Sequence, residues 1–237
     1  MNLILLNDED FLTDASNIVR IKGRRLEHAR KVFNASAGDE LAVGELNGNM
    51  GSGIVTAITK ESLEMKVSLN SPPPSPLPVT LVLALPRPKM LSRIFQAVSS
   101  MGVKKIYIIN SWRVEKSFWE SPKLEDEAMR EQLILGLEQG KDTMLPEIHM
   151  RRLFKPFVRE ELPGIINGSL PLVAHPAADE AFTWQVKGPV TLAIGPEGGF
   201  ISREIETFEE IGFKRVTLGE RILRVETAVP ALLSRFL

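Results

Sequence analysis

The chain has 237 residues, 43% hydrophobic and 25% charged, with a formal net charge of −1 and no cysteine. Its length fits about one to two domains with a real core, and its composition excludes wholesale disorder and collagen-like repeats. The missing cysteines exclude a disulfide scaffold, thiolate metal sites and a cysteine nucleophile.

His28, His149 and His175 lie far apart in the sequence, so no metal is expected. The opening MNLILLNDED meets Asp8, Glu9 and Asp10 too soon for a secretory segment. No apolar run approaches the roughly 18 residues of a membrane span, and a cytoplasmic protein is expected. A near-neutral net charge gives no global pull toward nucleic acid, so any such contact must rest on a local patch.

In chain order, a helix over about 24–36 carries Leu26, Ala29 and Phe33 on its inner face. Three strands follow at 40–46, 52–59 and 62–69. In the last, Leu63, Met65, Val67 and Leu69 alternate with Glu64, Lys66 and Ser68. Asn47-Gly48 suits the hairpin turn between the first two, because both residues tolerate positive φ. These elements predict a small half-open β-barrel over residues 1–70. SPPPSPLP at 71–78 then sets a stiff, extended linker.

From residue 79 to 237 strands and helices alternate. VTLVLALP (79–86) is apolar throughout, as suits a parallel strand covered on both faces. A helix from about Lys89 to Gly102, KKIYIIN (104–110), a helix at 123–139 stopped by Gly140, and a strand near 146–151 come next. Further strands fall at 169–175, 189–195 and 214–219, with a helix capped by Ser202, running to Glu210 and ended by Gly212. The fold class is α/β, with a mostly parallel sheet of about five or six strands.

Two loops leave strands of this sheet where open α/β sheets bind ligands. IGPEGGF (194–200) has glycines that let backbone approach a ligand closely, or else make a tight structural turn. It matches neither GxxxxGKS/T nor GxGxxG, which disfavours a nucleoside-triphosphate or dinucleotide cradle. LGERILRVETA (218–228) sets Glu220, Arg221, Arg224 and Glu226 around Ile222-Leu223. That mixture suits a ligand with an apolar body and a charged head, or a solvated turn with local ion pairs. Together the loops favour a cleft.

A third cluster is basic: Arg20, Lys22, Arg24, Arg25, Arg30 and Lys31 face only Glu27 within residues 20–31. Such a run is either a solvated face or a set of phosphate contacts to RNA, which position without reading sequence. His149 reads as a core or edge histidine, and Met90, Met101 and Met129 as packing. Trp112 and Trp119, around Arg113 and Lys116, suit either base stacking or a subunit contact. No GxSxG occurs, and hydrolase chemistry has no support.

The loop pair resembles the bacterial small-subunit ribosomal RNA uridine-N3 methyltransferases, a family of the knotted SPOUT class. Weaker likeness runs through HARKVFNASAGDEL (28–41), LPRPKMLSRIFQAVSSMGVKKIYI (85–108) and REQLILGLEQGKDTMLPEI (130–148). The resemblance implies a PUA-like β-barrel domain that holds RNA, then a SPOUT-type domain with a trefoil knot. It also implies a homodimer, with 16S rRNA as substrate and S-adenosylmethionine as methyl donor. Carried onto this sequence, it places the cofactor against His175, Pro176, Ile194, Gly195, Pro196, Gly198, Gly199, Leu218, Gly219, Ile222, Leu223 and Arg224. Arg224 and Glu226 become the catalytic candidates, the first steadying charge on the uracil carbonyls and the second accepting a proton or orienting Arg224. A non-catalytic rRNA-binding or assembly factor, and a SPOUT enzyme acting on ribose 2′-oxygens or tRNA, stand as alternatives.

Overall fold

The computed structural model describes residues 2–13, 17–176, 186 and 188–237. The chain divides into two compact units, Met1–Ser75 with Ile134–Leu145, and Pro76–Leu133 with Pro146–Leu237.

In the first unit β1 (Ile4–Leu6), β2 (Ile18–Ile21), α1 (Gly23–Lys31), β3 (Glu40–Glu45), β4 (Met50–Ile58) and β5 (Leu63–Ser71) follow in order. The strands form one sheet ordered β1-β3-β4-β5-β2, antiparallel except where β1 pairs with β3. Leu63, Met65 and Val67 alternate into its core with Val19, Ile21, Leu26, Ala29, Val43 and Val55. Strands β1 and β2 add to the three expected. Strand β1 shows no alternation because it is covered on both sides: Ile4 and Leu6 join that core, whereas Leu3 and Leu5 pack with Leu137, Ile134 and Leu145.

Helix α1 stops five residues before the expected end. Asn34 turns the chain with a φ of 51°, and the Ala35 N–H reaches back to the Ala29 carbonyl at 3.1 Å. Phe33, expected inside, is 39% exposed. The Asn47-Gly48 turn is held by the segment 134–145. The Leu145 N–H donates to Asn47 Oδ1 at 2.9 Å, and Thr143 Oγ1 donates to the Gly48 carbonyl at 2.6 Å.

The second unit contains β6 (Val79–Ala84), α2 (Pro88–Ser100), β7 (Lys105–Ile109), the start of α3 (Asp126–Gly140) and β8 (Glu147–Arg151). It continues with α4 (Phe154–Pro156), α5 (Leu162–Ile165), β9 (Leu170–Ala174), β10 (Val190–Ile194), α6 (Ser202–Glu210), β11 (Lys214–Val216) and α7 (Val225–Leu233). Its six strands run β11-β9-β10-β6-β7-β8, and every pairing is parallel. Every residue of β10 is buried, and all of β6 but Thr80, as the apolar runs require.

Two helix ends differ from expectation. Helix α3 is turned by Lys141 at φ 54° rather than by Gly140, and the Asp142 N–H closes onto the Leu137 carbonyl at 3.1 Å. Ser202 is the first helical residue of α6; the cap is made from within, by Glu204 accepting the Ile201 N–H at 3.0 Å. Gly212, at φ 101°, lies beyond that helix as expected.

Candidate active site

Strands β9, β10 and β11 are adjacent and parallel, so their exits lie along one edge of the sheet. A cleft of about 350 Å³ opens there. Its walls include His175 and Pro176 after β9, residues 194–200 after β10, and Thr217, Leu218, Arg221, Ile222 and Leu223 after β11. Val225, Ala228 and Leu232 of α7 close one side. Ten of the expected cofactor residues therefore meet in one cavity: His175, Pro176, Ile194, Gly195, Pro196, Gly198, Gly199, Leu218, Ile222 and Leu223.

Local chemistry holds the loops in place. The His175 N–H donates to the Val216 carbonyl at 2.9 Å, tying two walls together. In the glycine-rich loop the Gly199 N–H closes a turn onto the Pro196 carbonyl at 2.7 Å. A Cβ on Gly195 would stand 2.9 Å from the Phe200 nitrogen and 3.1 Å from the Gly199 Cα, so this glycine lets the loop fold on itself. Gly199 has open space for a Cβ, and a φ of 70° is what selects glycine there. Phe200 anchors the loop's exit against Phe208, with ring centroids 5.1 Å apart. Across the cleft, the Gly219 N–H donates to Thr217 Oγ1 at 3.3 Å, and that hydroxyl donates to the Gly219 carbonyl at 3.0 Å. Gly219 thus shapes the wall without lining it.

Arg113 and Glu197 are lining residues that the sequence did not single out for the cofactor. Arg113 arrives from the loop after β7 and hydrogen-bonds the Gly198 carbonyl through Nη1. Glu197 Oε1 accepts the Arg87 N–H at 2.9 Å, joining the glycine-rich loop to the start of α2. Arg113 has no local signature, because only the order of strands in the sheet brings residues 87 and 113 to this edge, whereas Glu197 lies within the 194–200 motif. Burial, and then the Arg215 guanidinium, hold the His175 imidazole below its ordinary pKa, with Glu209 acting in the opposite direction.

Arg224 and Glu226 stand outside the cleft walls. Arg224 occupies the N-cap position of α7 and its side chain is exposed; Glu226 sits in the first turn, half-buried. They flank Val225, which does line the cleft. No hydrogen bond or ion pair joins their side chains among the described residues.

The basic cluster is largely engaged inside its own unit. Arg25 forms two bonds to Asp10, at 2.5 and 2.8 Å, and a third to the Leu5 carbonyl at 2.6 Å. Arg24 grips Glu138, a carboxylate 1% exposed, at 2.7 and 3.1 Å. Arg20 pairs with Glu64 and Lys31 with Glu27. Lys22 and Arg30 carry no ion pair among the described residues, and Arg30 lines a shallow hollow with Asn34 and Lys60. Among the described residues no group of acidic or histidine side chains is placed to hold a metal ion, and no helix is long and apolar enough to cross a membrane.

The family model described as an RNA methyltransferase domain matches residues 73–237. Along nearly the whole chain there is likeness to the ribosomal RNA small subunit methyltransferase E of Treponema pallidum, 30% identical over 98% of this chain and 88% of that protein. The ribosomal RNA small subunit methyltransferase E 1 of Borreliella burgdorferi is 24% identical over 98% of this chain and 95% of its own length. In fold the chain is similar to the ribosomal RNA small subunit methyltransferase E of Neisseria gonorrhoeae, solved with S-adenosyl methionine. There the TM-score is 0.74 at 20% identity, covering 99% of this chain and 95% of that one.

Proposed function

This chain belongs to the RNA methyltransferase domain family, and from that premise we propose that it methylates N3 of one uridine in the 16S rRNA of the small ribosomal subunit. The donor in this reading is S-adenosylmethionine. The observation that carries it is the convergence of the two family-like loops, 194–200 and 218–223, on a single cleft at the exits of three parallel strands.

The cleft fits that donor. Its volume of about 350 Å³ lies within the usual range for small-molecule sites. Ile194, Leu218, Ile222 and Leu223 offer apolar walls, and the glycine-rich turn leaves backbone groups free of side chains. When bound, S-adenosylmethionine supplies an electrophilic methyl on a sulfonium sulfur, which leaves as a neutral thioether. Burial and Arg215 disfavour the charged form of the His175 imidazole, which lessens any opposition to that cation.

The chain's own residues have to manage the uracil proton. N3 is protonated at neutral pH and becomes a nucleophile only as that proton leaves, placing negative charge on the flanking carbonyl oxygens. Arg224, exposed beside the cleft wall at Val225, carries a planar guanidinium fork that suits a carbonyl oxygen. Glu226, one residue beyond Val225, is the acceptor for the N3 proton, directly or through water, a role worth about 10²–10⁴ in rate.

The same reading makes residues 1–70 a PUA-like RNA-holding domain and residues 79–237 a knotted SPOUT-type catalytic domain, in a cytoplasmic homodimer. Support for self-association comes from apolar side chains of the cleft wall left in solvent, Ile222 at 81% and Leu223 at 38% exposed. Phosphate contacts fall to Lys22 and Arg30 of the basic cluster, with Lys60 joining them, because Arg24 and Arg25 are held internally.

The test is to incubate purified, unmodified small subunits with labelled donor and map the product nucleotide by mass spectrometry. N3-methyluridine at one site is expected. A 2′-O-methylated product, methylation of tRNA instead, or RNA binding without transfer would each replace this reading with one of its alternatives.

A further inference from the structure

A second groove, of about 480 Å³, lies at the same sheet edge on the other side of the loop entering α6. Trp112, Leu153, Phe154, Lys155 and Arg203 are among its walls. The two cavities are neighbours along the backbone. Arg113 lines the cleft and Trp112 the groove, while the chain from Gly198 to Phe200 lines the cleft and continues through Ile201 and Glu204 in the groove.

Trp112 leaves 80% of its surface in solvent, and Leu153 leaves 68%. A large exposed aromatic face is informative in a way that a lone exposed leucine is not. Its backbone, by contrast, is pinned. The Trp112 N–H donates to Glu204 Oε1 at 2.8 Å, the buried carboxylate whose other oxygen takes the Ile201 N–H at 3.0 Å. The indole is thus a platform on a fixed base. Lys155 and Arg203 are exposed and carry no side-chain hydrogen bond or ion pair among the described residues.

Resting on the function proposed above, we infer that this groove is a stacking subsite for a nucleobase next to the target uridine. Trp112 is the stacking surface, and Lys155 and Arg203 neutralise the adjoining phosphates. An aromatic face beside unpaired cations matches single-stranded RNA, which offers a π-face and a charge at every nucleotide. Occupying the groove would hold the strand so that the neighbouring base faces the cofactor cleft. Trp112 is therefore a positioning residue and touches no reacting atom.

The test compares Trp112→Ala and Trp112→Phe with the wild type for binding to unmodified small subunits, alongside donor affinity by calorimetry, urea unfolding and sedimentation. Trp112→Ala should weaken subunit binding by about tenfold or more, and Trp112→Phe should restore most of it. Donor affinity, unfolding midpoint and oligomeric state should not move. The Lys155→Ala, Arg203→Ala pair should lower the salt slope of binding by about 0.7 for each phosphate left unneutralised. Unchanged RNA affinity in Trp112→Ala overturns the proposal. So does a changed oligomeric state, which would make the groove an interface between copies of the chain. Product mapping on the wild type keeps the two readings apart: RNA binding that depends on Trp112 without N3-methyluridine upholds the subsite and removes only the uracil-N3 assignment.

Discussion

Arg24 and Arg25 in α1, and Arg221 and Arg224 in the loop before α7, look alike in sequence: paired guanidiniums a few residues from acidic side chains. In the fold they behave oppositely. Arg24 and Arg25 are each bonded twice to a buried carboxylate, Glu138 and Asp10. Arg221 and Arg224 are exposed, and among the described residues their side chains engage no partner. A cationic run therefore does not reveal whether its charge is available. What decides is whether the topology delivers a carboxylate, and for Arg24 that carboxylate comes from 114 residues away.

Breaking the internal set should have the largest effect. Removing one partner of a buried pair leaves the other charge uncompensated, so Arg25→Ala should cost about 3–5 kcal/mol of stability. Urea unfolding measures this, and donor affinity of the remaining folded protein should be unchanged. Arg224→Ala should do the reverse. Without a preorganised donor to developing negative charge, single-turnover methylation should fall by about 10²–10³, with unfolding unaltered within about 0.5 kcal/mol. Glu226→Gln should lower single-turnover methylation by about 10²–10⁴ if this carboxylate is the proton acceptor; an unchanged rate removes it from that role.

The glycine-rich loop sharpens the contrast on a smaller scale. Gly199→Ala meets no atom but keeps a left-handed φ, at a cost of about 1–2 kcal/mol. Gly195→Ala, which forces Phe200 and Gly199 backbone apart, should weaken donor affinity more than Gly199→Ala does by calorimetry. The smallest effect concerns pH. His175 has a folded-state pKa below its unfolded value, so between the two the unfolded chain binds more protons. Its contribution to stability is complete above about pH 6.5 and declines as pH falls through that window. Unfolding midpoints measured from pH 7 to 5 should show this slope, and His175→Asn should reduce it.

The elements easiest to read in the sequence are those with one dominant environment. Strands β6 and β10 are buried on both faces and appear as unbroken apolar runs; β5 faces a core on one side and alternates. Strand β1 escapes because Leu3 and Leu5 serve one apolar cluster while Ile4 and Leu6 serve another, and three strand residues are too few to show a period. In the cleft, the residues carried by the two loop motifs are legible, since each loop is continuous in the chain. Arg113 is not, because its place beside Gly198 depends on β6 lying between β7 and β10. Trp112 stands out in the sequence without a definite role, and its pinned backbone, which makes it a platform, comes from Glu204, 92 residues away.

The segment Ile134–Leu145 carries a consequence for dissecting the molecule. Although it lies far beyond the proline-rich stretch, it belongs with the first unit, covering Leu3 and Leu5 with Leu137, seating the Asn47-Gly48 turn and supplying Glu138 to Arg24. Severing the chain at the prolines therefore does not yield an autonomous amino-terminal module. A fragment ending at Ser75 would expose an apolar strip and lack the Glu138 carboxylate that Arg24 holds, and would behave as a receptor for its missing piece. A synthetic peptide spanning 134–145, supplied in trans, is the natural complement, so the boundary of this module is a matter of fragment complementation rather than of where the linker falls.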